Sequence, residues 1–299
     1  MHTAGARCEN YTLGSIHGHG AALNCEQWSP PVGPPLARVV WLHGYGDHVG
    51  RYAHVFATLT AARVEVHAFD QLGHGHSAPH PALGMHNCSR AGDLMDEALA
   101  FVDAVEAKQR VRDHNPMFLV GCSLGGMVAL YVALRDQRKW AGLVLFSPLV
   151  DENWSATLRL QATAARLVAR VAPGAPLAPV RPHELSRDEE HVARHVADPL
   201  VPHGPVPVAF ANAMLRGMAP LRKQYASLTL PVLALHGTAD AITRLTPVKT
   251  LLAKCASRDV SLRLFEGARH ELLHELEAAR ATEILVDWIV QRAEGAARD

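Results

Sequence analysis

A chain of 299 residues, 48% hydrophobic and 19% charged, has the length for one large α/β domain or two modest ones and the apolar content to bury a core, which excludes a disordered chain. Its 29 basic and 29 acidic side chains cancel, so charge gives no reason to expect a nucleic-acid partner and leaves a neutral, oily substrate open. Five scattered cysteines with no C-x-x-C pair predict reduced thiols; the absence of an apolar signal stretch at the N-terminus, and of any run near 18 apolar residues, predicts a cytoplasmic protein, with peripheral membrane contact as the variant.

Along the chain, 8–13 and 23–29 flank a Gly-rich stretch and predict an antiparallel edge hairpin. Short apolar runs then predict strands at 38–43 (RVVWLH), 64–69 (VEVHAF), 117–122 (MFLVGC), 142–147 (GLVLFS), 231–236 (PVLALH) and 260–265 (VSLRLF). Most are nearly continuous in apolar residues, as parallel strands covered on both faces are. Helical patterns fill the gaps at 90–109, with a stripe through Leu94, Ala98, Phe101, Val102 and Val105, and at 124–135 and 276–292. Strands alternating with helices predict a doubly wound, mostly parallel sheet of the α/β class. The alternation breaks once, over 149–226, a Pro- and Ala-rich stretch with no convincing strand and too long for a loop. It reads as a helical cap over the sheet's C-terminal edge, dividing the core into 1–148 and 227–299.

Gly121-Cys122-Ser123-Leu124-Gly125 is a G-x-S-x-G motif between the apolar strand MFLVG and the helical run MVALYVALR. That strand–turn–helix setting is where a nucleophilic serine sits on a sharp turn. A serine hydroxyl needs a base to take its proton. In this arrangement acid and histidine follow in that order, each after a strand. PVLALHGTAD supplies Asp240 and VSLRLFEGARH supplies His270; Asp259, which precedes its strand, is a weaker rival for the acid's role. Cys122 reads as a small buried neighbour of the nucleophile. The loop His43-Gly44-Tyr45-Gly46 after the first long strand offers the Tyr45 N–H to a developing oxyanion, beside the N–H of Leu124. The loop Asp70-x-x-Gly73-His74-Gly75-x-Ser77 reads as structural.

WLHGYGDHVGRY, FDQLGHGHS, GCSLGGM, SPLV, HGTAD and EGARHELLHE occur in this order over about residues 10–292. Together they resemble the monoacylglycerol lipase and lysophospholipase-like group of α/β-hydrolases. The resemblance implies hydrolysis of small acyl esters, monoacylglycerols first, with lysophospholipids or general carboxylic esters as alternatives, and no cofactor. It assigns Ser123, Asp240 and His270 to the triad, and Tyr45 and Leu124 to the oxyanion hole. It places Gly44, Asp47, Arg51, Cys122 and His195 near the substrate. Three residues depart from the group's pattern: Cys122 stands where histidine is common, His195 where a tyrosine often precedes the Asp198-Pro199-Leu200 turn, and Tyr45 where the residue is often small. All three fall where the alcohol portion would bind.

Two features compete with or extend this reading. Over 155–171 (SATLRLQATAARLVARV), Leu160, Ala164, Leu167, Val168 and Val171 share one arc, and Arg159, Arg166 and Arg170 cluster elsewhere. Such a helix either packs on its own domain or dips into a membrane surface. His270-Glu271-Leu272-Leu273-His274 is a literal H-E-x-x-H, the zinc-protease pattern. Chance gives about 0.06 occurrences of either this motif or G-x-S-x-G at this composition, so context must separate them. A zincin needs both histidines on one helical face and a third ligand, for which only Glu294 offers itself. A receptor that keeps the pocket without catalysis is the remaining alternative.

Overall fold

A computed structural model describes residues 6–14, 22–88, 90–108, 115–151, 156–177 and 179–296. Eight strands form one sheet: β1 (Arg7–Gly14), β2 (Ala22–Ser29), β3 (Ala37–Leu42), β4 (Val64–Phe69), β5 (Met117–Cys122), β6 (Gly142–Phe146), β7 (Val232–Gly237) and β8 (Val260–Phe265). Their order is β1-β2-β4-β3-β5-β6-β7-β8. β1 pairs antiparallel with β2, and β2 antiparallel with β4; all other neighbours are parallel. The expected hairpin, doubly wound sheet and α/β class are all present.

The helices are α1 (Ala53–Ala61), α2 (Ala91–Ala107), α3 (Leu124–Arg135), α4 (Ala156–Val171), α5 (Pro182–Leu185), α6 (Glu189–Ala197), α7 (Val208–Arg222), α8 (Leu245–Lys254) and α9 (Ala278–Ala296). Side chains alternate between the two faces of the sheet, as the period of two requires. On β3, Val40 and Leu42 enter one core with Leu119, Met127 and Leu130, under α2 and α3. Val39 and Trp41 enter the other, with Phe56, Val120, Leu285 and Trp288, under α1 and α9. Both faces are covered, which is why the central strands read as nearly continuous apolar runs. β8 is the exception among the parallel strands: it lies at the sheet's edge, and Val260 and Leu264 are exposed.

The segment between β6 and β7 contains α4 to α7 and, among its described residues, no strand. α4 packs against α7, and α7 against α2 and α3 of the core. Among the described residues no helix is long and apolar enough to cross a membrane. The chain turns in opposite directions from β3, to β4 on one side and β5 on the other. The crevice at such a switch point, beyond the strands' C-terminal ends, is where α/β sheets hold ligands. Gly44, after β3, and Ser123, after β5, meet there.

Candidate active site

Ser123 occupies the one-residue turn between β5 and α3 with φ +52° and ψ −115°, a strained conformation for a residue with a side chain. Its backbone is fixed on both sides: its N–H donates to Phe146 O at 2.9 Å, and its carbonyl accepts from Gly126 N and Leu149 N, each at 2.9 Å. The motif's glycines make the turn possible. A Cβ on Gly121 would come within 2.4 Å of Gly125 O, and one on Gly125 within 2.1 Å of Leu42 O. Only hydrogen fits where α3, β5 and β3 converge.

Ser123 lines a cavity of about 80 Å³ together with Gly44, Tyr45, Asp47, Cys122, His270, Glu271 and the apolar Phe146, Val180, Leu185 and Ile242. His270 Nδ1 lies 2.8 Å from Asp240 Oδ2. Asp240 follows β7 on a turn that saturates it. Its Oδ1 accepts from the N–H groups of Ile242 (2.8 Å) and Thr243 (3.0 Å), and its Oδ2 accepts from the Thr243 hydroxyl at 2.8 Å. Burial alone would raise the Asp240 pKa, but the charge of His270 and the hydrogen bond to it prevail and hold it at about 2. Burial likewise opposes charge on His270, yet Asp240, its hydrogen bond, Glu271 and Asp47 together raise the imidazole above its ordinary 6.5. Asp240 is thus ionised, and it favours the imidazolium that a base becomes after taking a proton. Asp259 instead pairs with Arg292 near the start of β8.

Neither the Tyr45 N–H nor the Leu124 N–H, the latter in the first turn of α3, has a hydrogen-bond partner among the described residues. The Tyr45 ring packs on Phe210 of α7 with ring centroids 4.3 Å apart, so the bulky residue bridges the loop after β3 and α7. Cys122 also faces the cavity; burial first, then repulsion from Asp47, raises its thiol well above 9, which keeps it neutral. The Asp70 loop is structural as expected, since Asp70 accepts from Val49 N at 2.8 Å and His76 N at 2.9 Å.

Two residues expected at the substrate do not line the Ser123 cavity. The guanidinium of Arg51 is held by two residues that do, Asp47 Oδ1 and Glu271 Oε2, each at 2.8 Å. His195 lines a neighbouring cavity of about 40 Å³ with Tyr45, Val180, Leu185 and Glu271, and not the one containing Ser123. Thr243 and Glu271 were missed as members of the site. An Asp-x-x-Thr turn signals the first; nothing local signals the second, whose partners come from across the chain.

The H-E-x-x-H pattern does not form a zincin site. His270 sits in a loop, and Leu272–His274 is a single 3-10 turn rather than part of a helix. The two histidines therefore do not project from one helical face. His270 Nδ1 is engaged by Asp240, while His274 stacks on His191 at 4.5 Å.

Residues 33–277 match the family described as serine aminopeptidase, S33. The chain belongs to this family of α/β-hydrolases. Within it the hydrolase falls in the monoacylglycerol lipase-like group. It is 31% identical to a monoacylglycerol lipase of Mycolicibacterium smegmatis, over 91% of this chain and 94% of that one. It is 32% identical to the monoglyceride lipase of Mus musculus, over 87% and 84% of the two chains. The crystal structure of a monoacylglycerol lipase from Paleococcus ferrophilus superposes with a TM-score of 0.77 at 27% identity, covering 90% of the hydrolase and 99% of that chain.

Proposed function

We propose that this carboxylic ester hydrolase cleaves monoacylglycerols to fatty acid and glycerol through an acyl-enzyme on Ser123. The observation that supports this most is the 2.8 Å contact between His270 and an ionised Asp240 at the cavity that Ser123 lines. In this reading His270 Nε2 takes the Ser123 proton as the hydroxyl oxygen attacks the ester carbon. The N–H groups of Tyr45 and Leu124 receive the negative charge on the former carbonyl oxygen. The imidazolium then protonates the departing alcohol, and water repeats the sequence on the acyl-enzyme. Val180, Leu185 and Ile242 offer apolar surface to the acyl chain, and Asp47 and Gly44 offer polar contacts to the alcohol.

The helices over 149–226 act as the cap in this reading, and α4 as its contact with a lipid surface. Leu167 is 61% exposed, Val168 39% and Val171 85%, so the apolar face available to lipid is uncovered rather than packed on its own domain. Arg166 and Arg170 flank it, exposed, and 153–183 contains no acidic residue, which suits a surface bearing phosphate groups. The side chains of Arg159 and Leu160 lie outside the described residues.

Purified protein assayed against monoacylglycerols, lysophospholipids and short p-nitrophenyl esters tests the substrate. Monoacylglycerols should give the highest kcat/KM. A fluorophosphonate should label wild type and not Ser123→Ala, whose turnover should fall by at least about 10⁴-fold. A higher kcat/KM on lysophospholipids would transfer the assignment to that class. Labelling that survives Ser123→Ala would remove the nucleophile.

A further inference from the structure

Glu271, the glutamate of the pattern that fails as a zincin, stands in a different set of metal-binding groups. Two of its neighbours are His191 and His195, four residues apart on α6 and hence on one face of it. One nitrogen from each imidazole and one carboxylate oxygen of Glu271 all lie within 4.8 Å of one another, the one such group among the described residues. His191 Nε2 already lies 2.6 Å from Glu271 Oε2. His195 Nδ1 is buried and has no hydrogen-bond partner among the described residues. A buried polar atom left unsatisfied asks what it is for.

We propose that His191, His195 and Glu271 bind a divalent transition-metal ion of the zinc class, and that the ion pins α6 to the loop carrying His270. Two imidazoles and one carboxylate, with a position left for water, suit zinc, nickel or copper better than magnesium or calcium. Local charge also favours a cation, because Asp47 and Glu271 outnumber the single guanidinium of Arg51. Arg51 Nη2 lies 3.1 Å from His191 Nε2 and gives up Glu271 Oε2 to the ion. It keeps Asp47 at 2.8 Å and Glu271 Oε1 at 3.3 Å. Bonds of about 2.0–2.2 Å put tetrahedral ligands roughly 3.4 Å apart, so the widest pair closes by at most about 1.4 Å, while His191 Nε2 and Glu271 Oε2 open by about 0.8 Å from their 2.6 Å contact. A cavity of about 530 Å³ lined by His191, His195, Asp198 and His54 gives the ion its path from solvent.

Since Glu271 follows His270 directly and also lines the reactive cavity, an ion there restrains the insertion over the serine and slows turnover of long-chain esters. The full chain, stripped with EDTA and desalted, is titrated with ZnCl2 by calorimetry. Wild type should take up one equivalent with micromolar or tighter affinity, and His191→Gln and His195→Gln should each weaken binding at least about tenfold. Cobalt(II) should give wild type the intense visible absorption of a four-coordinate site and leave the variants pale. Thermal midpoints in EDTA verify that each variant is folded. Saturating zinc should slow wild-type hydrolysis of a long-chain ester severalfold and have no such effect on His195→Gln. Equal binding by wild type and both variants, the mark of scattered surface histidines, overturns the site, as does no binding by folded wild type. Binding at the site with unchanged turnover overturns the restraint.

Discussion

Ser123 is held in place by backbone bonds and His270 by an ionised partner, so in the proposed reaction the reactivity of the pair is set chiefly by the protonation of one imidazole. In that reaction His270 must be neutral to accept the serine proton. Its folded pKa is raised above 6.5, against burial, by Asp240 and then by Glu271 and Asp47. The sign follows: below that raised pKa the imidazole is already protonated and cannot act as base, so kcat/KM climbs as pH rises through it. We expect an acid limb with an apparent pKa above 6.5. Asp240→Asn should shift the limb downward, because the negative charge that favours the imidazolium is gone, and should lower kcat by about 10⁴-fold. Rate profiles of both proteins on a soluble p-nitrophenyl ester measure this. A wild-type limb below 6.5, or one that Asp240→Asn leaves in place, would contradict the arrangement.

Among the elements, α4 separates what a sequence states from what it withholds. Its arc of Ala164, Leu167, Val168 and Val171 is visible in the spacing, yet spacing does not say what covers the arc; in the structure its three larger members are exposed. The strands were easier to read. β3 and β5 are covered on both faces, so every position is buried and, Arg38 apart, none is charged, and the run itself marks the strand. Ser123 was legible because it directly follows such a run, and Asp240 because it comes soon after another, whereas His270 was placed by following β8, an exposed edge strand. Thr243 and Glu271 were not, because their roles come from contacts that form only on folding. If α4 contacts lipid as proposed, Leu167→Ser with Val168→Ser should weaken vesicle binding by about 2 kcal/mol, or roughly thirtyfold. Turnover of a soluble ester should be spared. Sedimentation with phosphatidylglycerol-containing vesicles reads the first and p-nitrophenyl acetate the second; unchanged sedimentation of the folded variant would reject the contact.

At the scale of the molecule, one buried ion cluster joins the three segments that build the site. Asp47 and Arg51 come from the loop after β3, Glu271 from the loop after β8, and His191 from α6 of the insertion. The side chains of Arg51, Asp47 and Glu271 are 7%, 6% and 13% exposed, so the guanidinium is the charge that makes two buried carboxylates tolerable. Replacing it by methionine keeps volume and removes that charge. Arg51→Met should therefore cost about 3–5 kcal/mol at pH 7, since it strands both acids. Burial pushes each carboxyl up, and in wild type Arg51 outweighs it and holds both below their ordinary values. Stability from such depressed groups is present above the unfolded carboxyl range and lost as pH falls through their folded pKa values. In the variant the stranded acids take up protons more readily, so its penalty shrinks as the solution is acidified. Urea unfolding of both proteins at pH 7 and pH 5 should show the gap narrowing, whereas a gap that is constant or widens would mean that Arg51 acts through packing alone.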